Sequence, residues 1–290
     1  MSLRIVVPQL VRLAFLSCRN WLSRRPVVDP ASDVDVSMTT YGQRTGSVFQ
    51  TIESIGRGRV RPRQLYLWVE EAVAADPPPP LARLRRRGLQ IRATEDCGPF
   101  KKFYPYVTGE WDGQVSLVTA DDDVVYPRWW LADLVSTHAR HPSDAVAYRA
   151  HRMQVEGTRI APYSSWPRQT EPAASFATFG TGVSGILYPP SAVAALAAAG
   201  DDFTRTCARA DDVWIHRTLV AAGIRERLVP GRDGDFPWLP RSQEVALWGV
   251  NLVNGRNDSY IAALYDPALV ELIRTSAGEV AGGPPPAEVP

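Results

Sequence analysis

The sequence predicts an α/β domain built around a mostly parallel sheet. Two observations carry this. Short apolar runs alternate with segments of helical period through the first 140 residues, in the order β-α-β-α-β. Turn residues or glycines close most of these runs, which keeps each segment to the length of a βαβ unit. With 290 residues, 45% of them hydrophobic, the chain can bury a full core, and global disorder is excluded.

The first strand is the run VDVSMTTYG at 34–42. Residues 44–55 set Val48, Ile52 and Ile55 at helical intervals and read as a helix stopped by Gly56. QLYLWVE at 64–70 is a second strand, and the prolines at 77–80 open a short Arg-rich helix ending at Gly88. LQIRAT at 89–94 and QVSLVTA at 114–120 are the third and fourth strands. A helix over 127–140 starts at Pro127, whose fixed φ suits a first turn. A strand AVAYRAH at 145–151, an irregular stretch at 156–175 and the strand-bearing segment FATFGTGVSGILYPP at 176–190 follow. Helices over 191–199 and 211–223 complete the core. The expected organisation is a basic amphipathic leader at 1–32, a single domain at 33–275, and a disordered Pro/Gly tail at 276–290.

Thirty-two basic against 31 acidic residues exclude the basic excess of a nucleic-acid binder, so no nucleic-acid partner is expected. Thirty of the 32 are arginines, with Ala and Pro also abundant, which reads as coding bias. The two lysines, Lys101 and Lys102, are neighbours, and their survival flags a site that wants an ammonium. Cys18, Cys97 and Cys207 form neither a disulfide framework nor a zinc spacing, so a reducing, cytoplasmic setting is expected. Pro8 and Arg12 interrupt the N-terminal apolar run and no cleavage site follows, so it does not read as a secretory signal. The leader carries Leu10, Leu13, Ala14 and Leu16 with Arg12, Arg19, Arg24 and Arg25. It can lie on an anionic membrane, a peripheral contact through residues 3–25, or pack on the domain.

Asp121, Asp122 and Asp123 follow the fourth strand directly, and parallel sheets bind ligands outside the carboxyl ends of their strands. Adjacent carboxylates repel unless a cation is present. Alternate residues of an extended chain point the same way, so Asp121 and Asp123 can share one divalent ion. The alternative is an acidic N-terminal cap on the next helix.

Four segments extend this pattern: TTYGQR behind the first strand, GPFKKFYP after the third, TADDDVVYP after the fourth, and GTGVSGILYPP followed by ADDVWIH. Through them, over roughly residues 33–225, the chain resembles nucleotide-sugar-dependent glycosyltransferases of the GT-A fold, family 2-like and bearing a D-x-D motif. The resemblance implies a Rossmann-like three-layer sandwich with a mostly parallel mixed sheet. It implies Mn²⁺ or Mg²⁺ on Asp121 and Asp123, with Asp122 and Lys102 at the donor diphosphate, Lys102 holding the key place of a G-P-x-x-K-x-x-P pattern. Thr39, Thr40 and Tyr41 would lie along the nucleoside, helped by Arg44, with Glu70 at the base or ribose. Gly182 and Gly185 would face donor sugar and acceptor. Of the pair Asp211 and Asp212, which also suits a helix cap, Asp212 is the preferred general base. His216, one turn further on, is a candidate third metal ligand or phosphate contact.

The implied reaction is hexosyl transfer from a UDP- or GDP-sugar to a glycan or other hydroxyl acceptor. Inversion is slightly preferred, although no Q-x-x-R-W motif is present. Three rivals stand beside it. Asp121–Val125 also satisfies the D-x-D-x-[TV] of haloacid-dehalogenase-type phosphatases, which place it on the first strand of their core. A GT-A-like domain could bind sugar or nucleotide without turnover. A sugar-phosphate nucleotidyltransferase would need a Gly-rich loop after the first strand, and TTYGQRTG is poor in Gly. Asn251, Asn254 and Asn257 recur at three-residue spacing with no assigned role. Trp129, Trp130, Trp166, Trp214, Trp238 and Trp248 offer stacking faces or core.

Overall fold

The structure, a computed structural model, describes residues 3–240 and 256–281. In chain order, α1 (Leu3–Leu22) precedes β1 (Val34–Thr39), a 3₁₀ turn (Gly42–Gly46), α2 (Val48–Gly56) and β2 (Leu65–Val69). Then come α3 (Glu71–Ala75), α4 (Pro79–Arg85), β3 (Leu89–Ala93), a second 3₁₀ turn (Gly98–Lys102), α5 (Tyr104–Gly109) and β4 (Ser116–Ala120). The second half holds α6 (Trp130–Arg140), β5 (Ala145–Ala147), β6 (Ala150–Arg152), β7 (Val155–Glu156), β8 (Arg159–Ile160), β9 (Thr178–Gly180) and β10 (Ile186–Tyr188). It closes with α7 (Pro190–Ala199), α8 (Phe203–Thr206), α9 (Asp211–Ala221), β11 (Glu226–Leu228), α10 (Arg256–Leu264) and α11 (Pro267–Ala281).

Seven strands form one sheet in the order β11-β5-β10-β4-β1-β2-β3. All neighbours are parallel except β10, which runs antiparallel to both β4 and β5. Strands β2, β4, β5 and β10 are buried throughout, as strands covered on both faces must be. Side chains alternate between two cores. Val36, Leu65, Leu67 and Val118 meet α2, α4 and α6, whereas Tyr66, Trp68, Leu117 and Ile186 meet α5, α7 and α9. This is the GT-A-type three-layer sandwich with a mostly parallel mixed sheet that the sequence predicts. The second face of β1 is polar: buried Asp35 is held by Arg63 at 2.8 Å and by the Tyr106 hydroxyl at 2.9 Å.

Three expectations change. The single strand at 145–151 is two short ones: β5 stays in the main sheet, while β6 leaves it to pair with β9. The turn between them seats Tyr148 in the core, with its hydroxyl donating to the Trp130 carbonyl at 2.7 Å. The irregular stretch contains the β7–β8 hairpin. The expected tail at 276–290 begins too early: α11 runs to Ala281, and buried Ser276 bonds Ser175 Oγ at 2.9 Å and accepts from the Phe176 N–H at 3.0 Å. Asn251, Asn254 and Trp248 lie outside the described residues.

The leader becomes a helix docked by its inner face. Leu13 and Leu16 are buried, and Arg19 reaches the fully buried Glu53 of α2 at 2.9 Å. Glu53 also accepts from Asn20 at 3.2 Å and pairs with Arg87. No helix among the described residues is long and apolar enough to cross a membrane.

Candidate active site

Because β1 and β4 are parallel neighbours, the residues that follow them emerge side by side at the carboxyl edge of the sheet. Thr40 Oγ1 donates to Asp122 Oδ2 at 2.6 Å, and Arg44 Nη1 donates to Asp122 Oδ1 at 2.9 Å while lying 3.5 Å from Asp123 Oδ2. Thr51 donates to the Asp122 carbonyl at 2.9 Å, and the Leu239 N–H to the Asp123 carbonyl at 2.6 Å. The middle aspartate is thus the strut of the turn. Asp121 is left to face the cleft.

The turn after β3 brings Lys102 across to the same place. Its Nζ lies 2.8 Å from Asp211 Oδ2, and Asp121 and Asp212 are its other charged neighbours. Burial works against the ammonium, but the three carboxylates outweigh it and hold Lys102 well above the usual lysine range. Burial pushes Asp121 up to about 7 despite Lys102, with Asp123, Asp122 and Asp212 adding to the rise. Asp212 is likewise raised, by burial and then by Asp211, against Lys102 and the Gly182 N–H. That N–H donates to Asp212 Oδ1 at 3.0 Å.

Lys102 and Asp121 belong to the wall of a cleft of about 830 Å³, together with Thr39, Tyr41, Arg44, Glu70 and Asp122, whereas Asp211, Asp212 and Gly182 adjoin Lys102 without lining it. Seven residues named from the sequence therefore share one cavity. Tyr41 stands between Arg44 and Lys101, 5.8 and 5.6 Å from its ring centroid. Glu70 is exposed where α3 begins.

Other assignments are corrected. Thr40 is buried behind the cleft on Asp122 and cannot lie along a nucleoside, since its side chain points opposite to those of Thr39 and Tyr41. The Thr39 hydroxyl donates to the Trp68 carbonyl at 3.0 Å. Of the two glycines, only Gly182 belongs to the site: a Cβ there would stand 2.5 Å from Lys102 Nζ and 3.2 Å from Asp212 Oδ1. Gly185 serves the fold instead, with φ +95° and its Cβ position 2.8 Å from Trp130 Cζ2. His216 is no metal ligand. Its Nδ1 meets the Tyr265 hydroxyl at 2.8 Å and its Nε2 the Phe176 carbonyl at 3.1 Å, so the core occupies both nitrogens. Burial depresses it to about 4. Trp130, Trp166 and Trp214 are core residues.

Sequence reasoning missed Arg209, Arg256 and Tyr104, which also line the cleft, and Glu226. Buried Glu226 accepts the Gly180 N–H and so fixes the strand leading into the Gly182 loop; burial raises it to about 8. A lone acid in the run IRERLV was the available signal.

No group of three His, Cys, Asp or Glu side chains among the described residues is gathered as a ready-made metal cage. The donor set nevertheless fits a hard divalent ion. Asp121 is a half-buried carboxylate on the cleft wall with Asp122 and Asp123 beside it, and Mg²⁺-type ions commonly take one or two carboxylates and fill their remaining positions with substrate phosphate.

No family model and no curated protein matches the chain. Among solved structures it is similar to the mannosyltransferase PcManGT from Pyrobaculum calidifontis in complex with GDP-Man and Mn²⁺, at 16% identity over 98% of this chain and 87% of that one, TM-score 0.47. It is similar to S. aureus TarS 1–349 in complex with UDP-GlcNAc, at 12% identity over 87% and 76%, TM-score 0.47. It is also similar to 4-diphosphocytidyl-2C-methyl-D-erythritol synthase from Anaerococcus prevotii, at 10% identity over 78% and 100%, TM-score 0.47. Likenesses this distant carry no argument about activity, which rests on the site.

Proposed function

We propose that the chain is a glycosyltransferase moving a hexose-type sugar from a UDP- or GDP-linked donor to an acceptor hydroxyl, with inversion at the anomeric carbon. The observation that carries this is Lys102 on the cleft wall beside Asp121, 2.8 Å from Asp211 and with Asp212 as a further charged neighbour. A nucleoside diphosphate leaves with its negative charge developing on phosphate oxygen, and a buried, permanently charged ammonium stabilises that charge as it forms. Asp121 and Asp123 would hold Mn²⁺ or Mg²⁺, which supplies further charge neutralisation to the diphosphate. Tyr41 and Glu70, on the wall built by β1 and β2, would take the nucleoside, and Arg44 would meet phosphate beside the strut it forms with Asp122.

Asp212 is the base. Its raised affinity for a proton suits a group that must accept one from a hydroxyl near neutral pH, and the Gly182 N–H fixes which oxygen is turned away. Asp211 holds Lys102. The phosphatase reading would place Asp121 on the first strand of the core, whereas it follows β4, the fourth strand of the chain.

A thermal-shift series of UDP- and GDP-sugars with and without Mn²⁺ tests the proposal. A true donor at a hundredfold excess over its Kd stabilises the fold by about 2.7 kcal/mol, and more with the ion present. If no nucleotide sugar raises the melting temperature in either condition, the transferase reading is wrong.

A further inference from the structure

Six large hydrophobic side chains are exposed among the described residues, and five of them belong to α1: Leu10, Val11, Phe15, Trp21 and Leu22, between 52% and 82% exposed. At the helical period they fall on the side opposite Leu13, Leu16 and Asn20, which dock the helix on α2 and α4. An apolar stripe this continuous is unusual for a surface that faces only water.

Arginines flank the stripe. On one side Arg83 stacks over Trp21 at 4.3 Å, and on the other Arg57 lies over Phe15 at 5.9 Å. Arg57 is half-buried, forms no ion pair among the described residues, and leaves its Nε buried without a hydrogen-bond partner. The charges around it are Arg12, Arg128 and Arg19, all of its own sign. Arg19 is neutralised by Glu53, but Arg12 and Arg128 have no such partner among the described residues. Phe15, Arg25, Arg57, Arg59, Arg61 and Arg128 border a cavity of about 640 Å³ at the foot of the stripe. Its acids are Asp29, paired to Arg61 at 3.0 Å, and Asp33. A guanidinium desolvated among like charges lacks an anion, and it stands beside an apolar face that lacks a cover.

We propose that the outer face of α1 docks on an anionic lipid bilayer. Val11, Phe15 and Leu22 enter the boundary between headgroups and acyl chains, and Arg57 and Arg128 take lipid phosphate. The helix is about 30 Å long and lies in the plane of the interface. Trp21, capped by Arg83, has the apolar body and polar edge that suit the headgroup level. The apolar stripe sets the orientation, and the unpaired arginines select the charge of the lipid. This docking does not depend on the transferase reading, because Arg57 follows α2 at the amino edge of the sheet, opposite the cleft.

Co-sedimentation of the full chain with vesicles of phosphatidylcholine, and of phosphatidylcholine with phosphatidylglycerol, tests it. Binding is expected to the mixed vesicles only, and to weaken with salt. Replacing Arg57 and Arg128 together by glutamine should lower affinity for those vesicles by about 25-fold, roughly fivefold for each charge. Val11→Ser with Phe15→Ser should abolish binding. Leu22→Ser, at an 82% exposed position that no core contact depends on, should weaken it without moving the urea midpoint. Failure to bind the mixed vesicles, equal binding to both kinds, or undiminished binding by these variants would overturn the proposal. So would a concentration-dependent dimer of the lipid-free protein that Phe15→Ser dissociates, or glycerol phosphate competing fully with vesicles for the arginines.

Discussion

Replacing Lys102 by methionine removes the ammonium while keeping most of its length. The Lys102 and Asp211 side chains are 13% and 12% exposed and 2.8 Å apart, so the pair is close to fully desolvated. Removing one partner of such a pair costs about 3–5 kcal/mol, since the other charge stays buried. Here the survivors are three carboxylates, Asp121, Asp211 and Asp212, facing one another. At about 2–4 °C per kcal/mol for a domain this large, the melting temperature should fall by roughly 10 °C. The loss has a sign with pH. Without Lys102 the carboxyl groups bind protons more tightly in the folded than in the unfolded chain, so the stabilisation is complete at low pH and disappears as pH rises through their raised folded values. The deficit against the parent should therefore be larger at pH 8 than at pH 5. Urea unfolding followed by circular dichroism at both values measures it. Adding Asp211→Asn to Lys102→Met should restore more than half of the deficit, since the repulsion is then relieved. If Lys102→Met stays within 1 kcal/mol of the parent at pH 8 (about a fivefold change in the unfolding constant), or Asp211→Asn gives no rescue, Lys102 is not the cation that holds this acidic cluster together.

Four further outcomes follow from the same geometry. Lys102→Arg should keep the charge but lose at least about tenfold in turnover, because Gly182 leaves room for a compact Nζ and not for a planar guanidinium; wild-type kcat in that variant contradicts the fit. The two loop glycines should separate cleanly. Gly185→Ala should destabilise by about 2 kcal/mol or more through its positive φ and Trp130, whereas Gly182→Ala should cost less stability, since only the flexible tip of Lys102 must shift, and yet lose transfer; the opposite ranking in urea titrations would mean the loop is misassigned. Asp212→Asn should bind donor with unchanged Kd and lose about 10²–10⁴ in kcat; a collapse of donor affinity in calorimetric titration would remove it as base. His216 is held at about 4 against 6.5 in an unfolded chain, a depressed value, so its contribution is present above pH 6.5 and lost as pH falls through 4. That loss is about 3 kcal/mol, and His216→Gln should show correspondingly less acid destabilisation than the parent between pH 7 and 4.

What could be read from the sequence follows from how local each signal is. Strands β2 and β4 were legible because burial leaves each a mostly apolar run, and β1 because Val34, Val36 and Met38 alternate with polar residues. The break between β5 and β6 was not, because AVAYRAH keeps one composition while Tyr148 turns into the core. The position of Asp121–Asp123 at a strand end was legible, but the division of labour among the three was not. It depends on Thr40 and Arg44, some 80 residues earlier in the chain. The i+4 spacing of Asp212 and His216 was misleading for a simple reason. One turn of helix advances about 5.4 Å, enough to carry the second residue away from the Gly182 loop and Lys102 into the core, where Tyr265 waits. Glu226 escaped notice because its partner is a backbone N–H, which no side-chain pattern records.

The two lysines in a chain of thirty arginines now divide by role. Both lie in one 3₁₀ turn, yet Lys101 pairs with Asp96 at 2.9 Å over the Tyr41 ring, while Lys102 reaches the opposite wall and Asp211. An arginine suits a place where a flat fork can meet a carboxylate edge-on, as Arg63 meets Asp35 through Nε and Nη2. At Lys102 the Gly182 backbone leaves no room for a Cβ beside Nζ, and the ammonium has three carboxylate neighbours, Asp211, Asp121 and Asp212, which a compact point charge can serve. The same compactness lets it neutralise Asp211 and its neighbours at once. In the proposed reaction, a rotation about its flexible stem would offer the same charge to the donor diphosphate.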